Sequence, residues 1–230
     1  MKIKKMVISL ILILVSFSLA QELSIDEVLD KMKLKAETIE DIHFLLTGKI
    51  IDADGTEIIL EVDVSAMPME QTTRAEFYQP DALADNITIL DKDVVYNYVY
   101  LTNQATLFSA NDPDALGGLL PAGEADSNAK FEFDLEKLFA GWTASIDGYE
   151  KTDNGNIYNL RFDNKEEDVV IDHVNVTVYE DIWIPTDMIF YKKDNSLFTE
   201  LHFEDISVDA GLNIDDLLYL PDDAEIIDER

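Results

Sequence analysis

The spacing of apolar residues changes character at two points along the chain. Behind a twenty-residue leader, Ser24-Ile25-Asp26-Glu27 has the form of a capping box, a serine at the N-cap and a glutamate three residues on. Ile25, Val28, Leu29, Met32 and Ala36 then recur at helical spacing, so the pattern predicts one amphipathic helix ending near Thr38. After Asp41 the period falls to two. His43 to Ile51 and Glu57 to Val64 read as strands joined by Asp52-Ala53-Asp54-Gly55, a turn in which the glycine supplies positive φ. In the second arm Ile58, Leu60 and Val62 alternate with Ile59, Glu61 and Asp63, which turns one face toward water.

The same rhythm predicts strands at Gln71–Tyr78, Ile87–Leu90, Val94–Tyr100 and Ala105–Phe108, then at Thr143–Tyr149, Ile157–Phe162, Ile171–Tyr179, Trp183–Tyr191 and Leu197–Phe203. Asp91-Lys92-Asp93, Asn154-Gly155 and Asp194-Asn195 supply turn chemistry between neighbours. Roughly ten strands on short turns make a mainly β fold, an open antiparallel meander and not a set of βαβ units. No repeat or linker divides 21–230, which reads as a single domain. Only Ala110 to Lys130 breaks the rhythm. It is polar and rich in glycine and proline, yet carries Leu116, Leu119 and Leu120. It reads either as a surface loop pinned by those leucines or as an apolar flap over an opening. Phe133 to Phe139, capped by Asp134, follows as a short helix expected to pack Leu135, Leu138 and Phe139 inward.

The leader is an export signal by its three-part form. Lys2, Lys4 and Lys5 precede an apolar run from Met6 to Phe17, and Ser18-Leu19-Ala20 places small residues where a signal peptidase reads. The run is shorter than the ~20 residues of a spanning helix, so cleavage after Ala20 is expected rather than anchoring. Cleavage removes three lysines from a chain that already carries 48 acidic against 17 basic side chains, a net charge of −31. That balance repels phosphate backbones and anionic head groups, and so excludes nucleic acid and polybasic membrane docking. The hydrophobic share of 47% is far too high for an acidic disordered tail. Cysteine is absent, which excludes disulfides, thiolate metal sites, cysteine nucleophiles and lipidation at an N-terminal cysteine.

Catalytic chemistry finds no foothold. His43, His173 and His202 each lie in a predicted strand without a metal-spaced partner and read as half-exposed strand histidines. Gly117-Gly118 follows no phosphate-loop pattern, and Glu166-Glu167-Asp168 and Asp215-Asp216 lack the spacing of a calcium loop. Asn86-Ile87-Thr88 and Asn175-Val176-Thr177 match a glycosylation triplet that also arises by chance. No cofactor, no metal and no enzymatic activity are expected, although among so many acids a carboxylate pair for hydrolysis stays open. The abundant resource is apolar: Phe44, Leu46, Leu60, Val62, Phe77, Tyr96, Tyr98, Val174, Val176, Val178, Met188, Phe190, Leu201 and Phe203. A curved sheet so lined, and plugged by one helix, either packs solid or encloses a cavity for a greasy ligand.

The order of these features resembles the LolA-type periplasmic carriers of outer-membrane lipoproteins and their lipoprotein-sorting relatives. The resemblance runs from the capped helix Ser24–Thr38 and the hairpin Phe44–Val64 through Phe77-Tyr78-Gln79-Pro80 and Val95-Tyr96-Asn97-Tyr98. It continues through Asp181-Ile182-Trp183-Ile184-Pro185, Phe198-Thr199-Glu200-Leu201 and Asn213 to Leu220-Pro221-Asp222-Asp223-Ala224-Glu225. It implies an incomplete β-barrel with a short helical lid, here Leu116, Leu119 and Leu120, over a cavity for the acyl chains of a lipoprotein or lipid. The cavity residues would be the apolar set named above other than Val174. The resemblance further implies a periplasmic monomer served by membrane-bound donor and acceptor proteins. Two departures stand out. The family's arginine before an early proline, a lid latch, is replaced by Met67 before Pro68, with Arg74 the nearest arginine. The basic contacts that would engage a membrane complex are also missing. An envelope sensor with the same fold and a filled core is the alternative, and a carboxylate hydrolase the third.

Overall fold

The computed structural model describes residues 23–52, 54–112, 115, 134–152, 155–166 and 169–230. Helix α1 (Ile25–Thr38) comes first. Strands β1 (Ile42–Ile51), β2 (Glu57–Met67), β3 (Thr72–Gln79), β4 (Ile87–Asp91), β5 (Val94–Val99) and β6 (Gln104–Ser109) follow it. After the short helix α2 (Leu135–Leu138) come β7 (Thr143–Thr152), β8 (Gly155–Asp163), β9 (His173–Tyr179), β10 (Pro185–Tyr191) and β11 (Leu197–Val208). Short helix α3 (Ile214–Leu217) and strand β12 (Glu225–Asp228) complete the order. Residues 1–20, expected to be an export leader, and Leu116, Leu119 and Leu120, expected to form a lid, lie outside the described residues.

The twelve strands of the described residues join one sheet in the order β12-β6-β5-β4-β3-β2-β1-β11-β10-β9-β8-β7. β12 and β7 are its two edges, so the sheet is open and not closed on itself. The mainly β, open-barrel architecture expected from the alternation is therefore the one observed. Every pairing is antiparallel except β12, which runs parallel to β6. The chain runs as two meanders, β1 to β6 and β7 to β11, which meet where β11 pairs with β1. Their junction is tight at Gly48, where an added Cβ would collide with the Glu200 carbonyl oxygen. Only glycine allows that close approach.

Helix α1 forms as its capping box dictates. Ser24 accepts from the Glu27 amide, and the Glu27 carboxylate accepts from the Ser24 amide at 2.8 Å. Its buried stripe is Val28, Leu29 and Met32. They sit on Tyr158, Leu160, Phe162, Val174, Val176, Val178 and Met188 of β8 to β10, with Leu135 and Phe139 closing the flank. A second cluster gathers Ile39, Ile42, Phe44, Val62, Val64, Ala66, Phe77 and Ile184 at the β1–β3 side. Side chains of this size each contribute about 1.5–3 kcal/mol when fully buried.

Three expectations are corrected. Leu138 is not packed inward but 50% exposed, because a helix of four residues turns only Leu135 and the following Phe139 to the core. His173 is not half-exposed. It is 3% exposed, stacked on Tyr191 with ring centroids 4.8 Å apart and bonded through Nδ1 to Asp172 at 3.0 Å. Strand β10 begins at Pro185 rather than Trp183, since Trp183 takes the left-handed conformation (φ 54°) in the turn before it. Its amide donates to the Tyr179 carbonyl at 2.9 Å. That turn lays the indole on Tyr158, with centroids 5.8 Å apart and planes 26° from parallel, while Lys31 of α1 lies 5.2 Å from the ring centroid.

Candidate functional site

Residues paired directly across antiparallel strands share a face, so the register writes out the concave lining row by row. One row runs Leu60, Gly48, Leu201, Met188, Val176, Leu160 and Ile146, from β2 to β7. On one side of it lie Phe77, Val62, Leu46 and Phe203, with Val178 and Tyr158 continuing beyond β10. On the other lie Ile58, Ile50, Thr199, Phe190, Val174 and Phe162. Three adjoining rows are thus apolar except for two buried hydroxyl-bearing side chains, Thr199 and Tyr158. Each needs only the period-two alternation of its strand to face inward.

Burial divides this face. Under α1, Val176, Val178, Leu160 and Met188 are closed off, the first three to 1% exposure or less. Toward β1 and β2, Leu46, Leu60, Leu201, Phe203 and Phe190 are only half-buried, with Phe44 and Val62 buried beneath them. Phe203 bridges the two zones, touching both core clusters and lying 5.4 Å from the Phe44 ring. The result is an apolar strip that starts half-open and runs under the helix.

The structure brings together eleven of the thirteen residues expected from the sequence to line a cavity. Phe44, Leu46, Leu60, Val62, Phe77, Val176, Val178, Met188, Phe190, Leu201 and Phe203 belong to this one face and its two clusters. Tyr96 and Tyr98 do not join them. They pack with Ile87, Ile89 and Ala105 against Leu220 and Ala224 of the C-terminal segment, and the Tyr98 hydroxyl donates to Asn103 at 3.0 Å. Burial raises the Tyr98 pKa above the ordinary tyrosine value.

How α1 is fastened is not visible in the sequence. Asp41, 4% exposed, accepts from the amides of Ala210, Gly211 and Leu212 at 2.9, 2.9 and 3.2 Å. Asp209 accepts from the Glu40 amide at 2.8 Å, and its own amide donates to the Asp41 carbonyl at 2.8 Å. The C-terminal end of α1 is therefore riveted to the end of β11, while the helix body rests on side-chain packing and the Lys31–Trp183 contact. Arg74 takes another role than a lid latch: its guanidinium donates to the Tyr219 carbonyl at 2.6 Å and pairs with Glu76 at 3.3 Å, clamping the segment after α3.

The convex face is polar. His202 lies between Asp187 at 2.7 Å and Glu200 at 3.2 Å, and Lys49 reaches Glu200 at 3.5 Å. The hydrogen bond to Asp187 holds the His202 pKa above the ordinary histidine value. Among the described residues no three His, Asp or Glu side chains converge as a metal site, and no helix is long and apolar enough to cross a membrane.

No protein-family model and no curated protein matches the chain. Solved structures do. An uncharacterized conserved protein from Thermus thermophilus is 18% identical with a TM-score of 0.60, covering 88% of this chain and 98% of its own. MucB is 9% identical with a TM-score of 0.53, covering 88% of this chain and 65% of its own. A LolA superfamily protein from Nitrosomonas europaea is 12% identical with a TM-score of 0.43, covering 86% and 98% respectively. The first two superpositions establish a shared fold.

Proposed function

We propose that this chain is an exported, non-enzymatic carrier that shelters acyl chains of a lipid or lipoprotein against its concave face. The observation that carries the reading is the half-open apolar strip of Leu46, Leu60, Leu201 and Phe190, continuous with the surface beneath a helix riveted at one end. Acyl burial gains ~0.8 kcal/mol per CH₂, so a sixteen-carbon chain repays the separation of α1 from the sheet. Lifting α1 about its Asp41 rivet would open the strip into the space now filled by Val28, Leu29 and Met32. Leu116, Leu119 and Leu120 belong to the cover in this reading. Cargo enters from a membrane-bound donor and leaves to an acceptor at the outer membrane, with the protein a periplasmic monomer.

The test is uptake of a fluorescent sixteen-carbon fatty acid, competed by a diacyl lipopeptide, with Trp183 emission followed in a Trp142→Phe background. Saturable uptake that changes Trp183 emission supports the reading, because the Lys31 contact breaks when α1 lifts. Absence of uptake overturns it.

A second reading is favoured by the closed packing under α1. There the core stays filled and the same fold serves as a sensor or interaction module. Uptake without any change at Trp183 limits the ligand to the open strip, and no uptake at all favours the module.

A further inference from the structure

Thr199 is, with Tyr158, one of two hydroxyl-bearing side chains in the three apolar rows. It stands on β11 two residues before Leu201, opposite Ile50 of β1 and Phe190 of β10, and is 5% exposed. Its Oγ1 has no hydrogen-bond partner among the described residues. A buried hydroxyl without a partner costs free energy that valine, of the same shape and equally suited to a strand, would avoid. Its place is equally pointed. Ile50 and Phe190 beside it are half-buried, and its row flanks the half-open strip on the side away from Phe77, Val62 and Leu46.

We infer that Thr199 is the polar handle of the site, donating its O–H to the carbonyl of an ester- or amide-linked acyl chain. This deepens the carrier reading and rests on it. The chain's tail lies along Leu201 and Leu46 toward the surface under α1. Its carbonyl stops at Thr199, and its head group lies beyond the row of Ile50 and Phe190. The site thus selects acyl over alkyl chains and fixes which end points out. No bond is made or broken; one hydrogen bond replaces an unmet donor.

The experiment compares a sixteen-carbon 1-acyl lysophosphatidylcholine with its 1-O-alkyl ether. The two share chain and head group and differ only in the carbonyl. Each displaces a fluorescent sixteen-carbon fatty acid, below the micellar concentration, from wild type, Thr199→Val and Thr199→Ser. Wild type is expected to prefer the acyl lipid about tenfold, the worth of one buried hydrogen bond. Thr199→Val is expected to lose that preference by weakening acyl binding alone, with a melting temperature equal to or above wild type. Thr199→Ser restores it. Equal binding of both lipids by wild type, or a preference that survives Thr199→Val, overturns the handle and leaves the carrier standing. Failure of every lipid and of the fatty acid to bind overturns both.

Discussion

Asp41 ties together two segments that are 170 residues apart in sequence, and its three amide partners explain why a carboxylate is tolerated at 4% exposure. Asp41→Ala leaves those amides buried and unpaired, and is expected to lower stability by about 3 kcal/mol in urea unfolding. A loss under ~1 kcal/mol would show that the rivet is not needed. Gly48→Ala forces a methyl group onto the Glu200 carbonyl, and an expected loss of about 2 kcal/mol or more follows from the backbone shift at the β1–β11 seam. His202 carries a pH dependence of fixed sign. Its pKa is raised in the fold by Asp187 and Glu200, so its contribution is complete below the unfolded value near 6.5 and fades as pH rises through the folded value. The stability advantage of wild type over His202→Gln is therefore expected to shrink as pH rises above about 6.5. An advantage that grows with rising pH contradicts the assignment.

At the scale of elements, α1 is the piece whose sequence announces its structure and whose fastening does not. Ser24, Glu27 and the Val28–Leu29–Met32 stripe are local signals, and they produce the helix at the expected limits. The rivet at Asp41, the Arg74 clamp and the parallel strand β12 depend on partners far along the chain, which no local period encodes. Glu225–Asp228 offers two isoleucines between acids, too short a run to declare a strand. Trp183 reads as a strand start because its left-handed turn and its stacking on Tyr158 leave no mark on the local alternation. Tyr96 and Tyr98 alternate like lining residues, but alternation specifies a face and not which cluster meets it. Ser24→Ala removes the cap and is expected to cost about 1 kcal/mol. If α1 is a separable cover, that loss shows as faster amide exchange confined to residues 25–38, with β8 to β10 unchanged. Uniform loss of protection would make α1 an inseparable part of the core.

For the whole molecule, alternation and turn chemistry foretell an open, mainly antiparallel sheet, and the register then turns a set of apolar residues into one continuous face. The net charge of −31 clothes that apolar interior in a solvated shell. Self-repulsion of that size is screened as the Debye length shrinks from about 10 Å at 0.1 M to about 3 Å at 1 M salt. The melting temperature is accordingly expected to rise over that range, and a flat response would count against charge as a destabilising load. The central claim is that the concave face holds an acyl chain. Native mass spectrometry of the protein purified from an exporting host tests it most directly. Adducts with the mass of acylated lipid or lipopeptide are expected, lost on organic extraction and depleted in Leu201→Glu. A clean apo mass, unchanged after incubation with a fluorescent sixteen-carbon fatty acid, would contradict it.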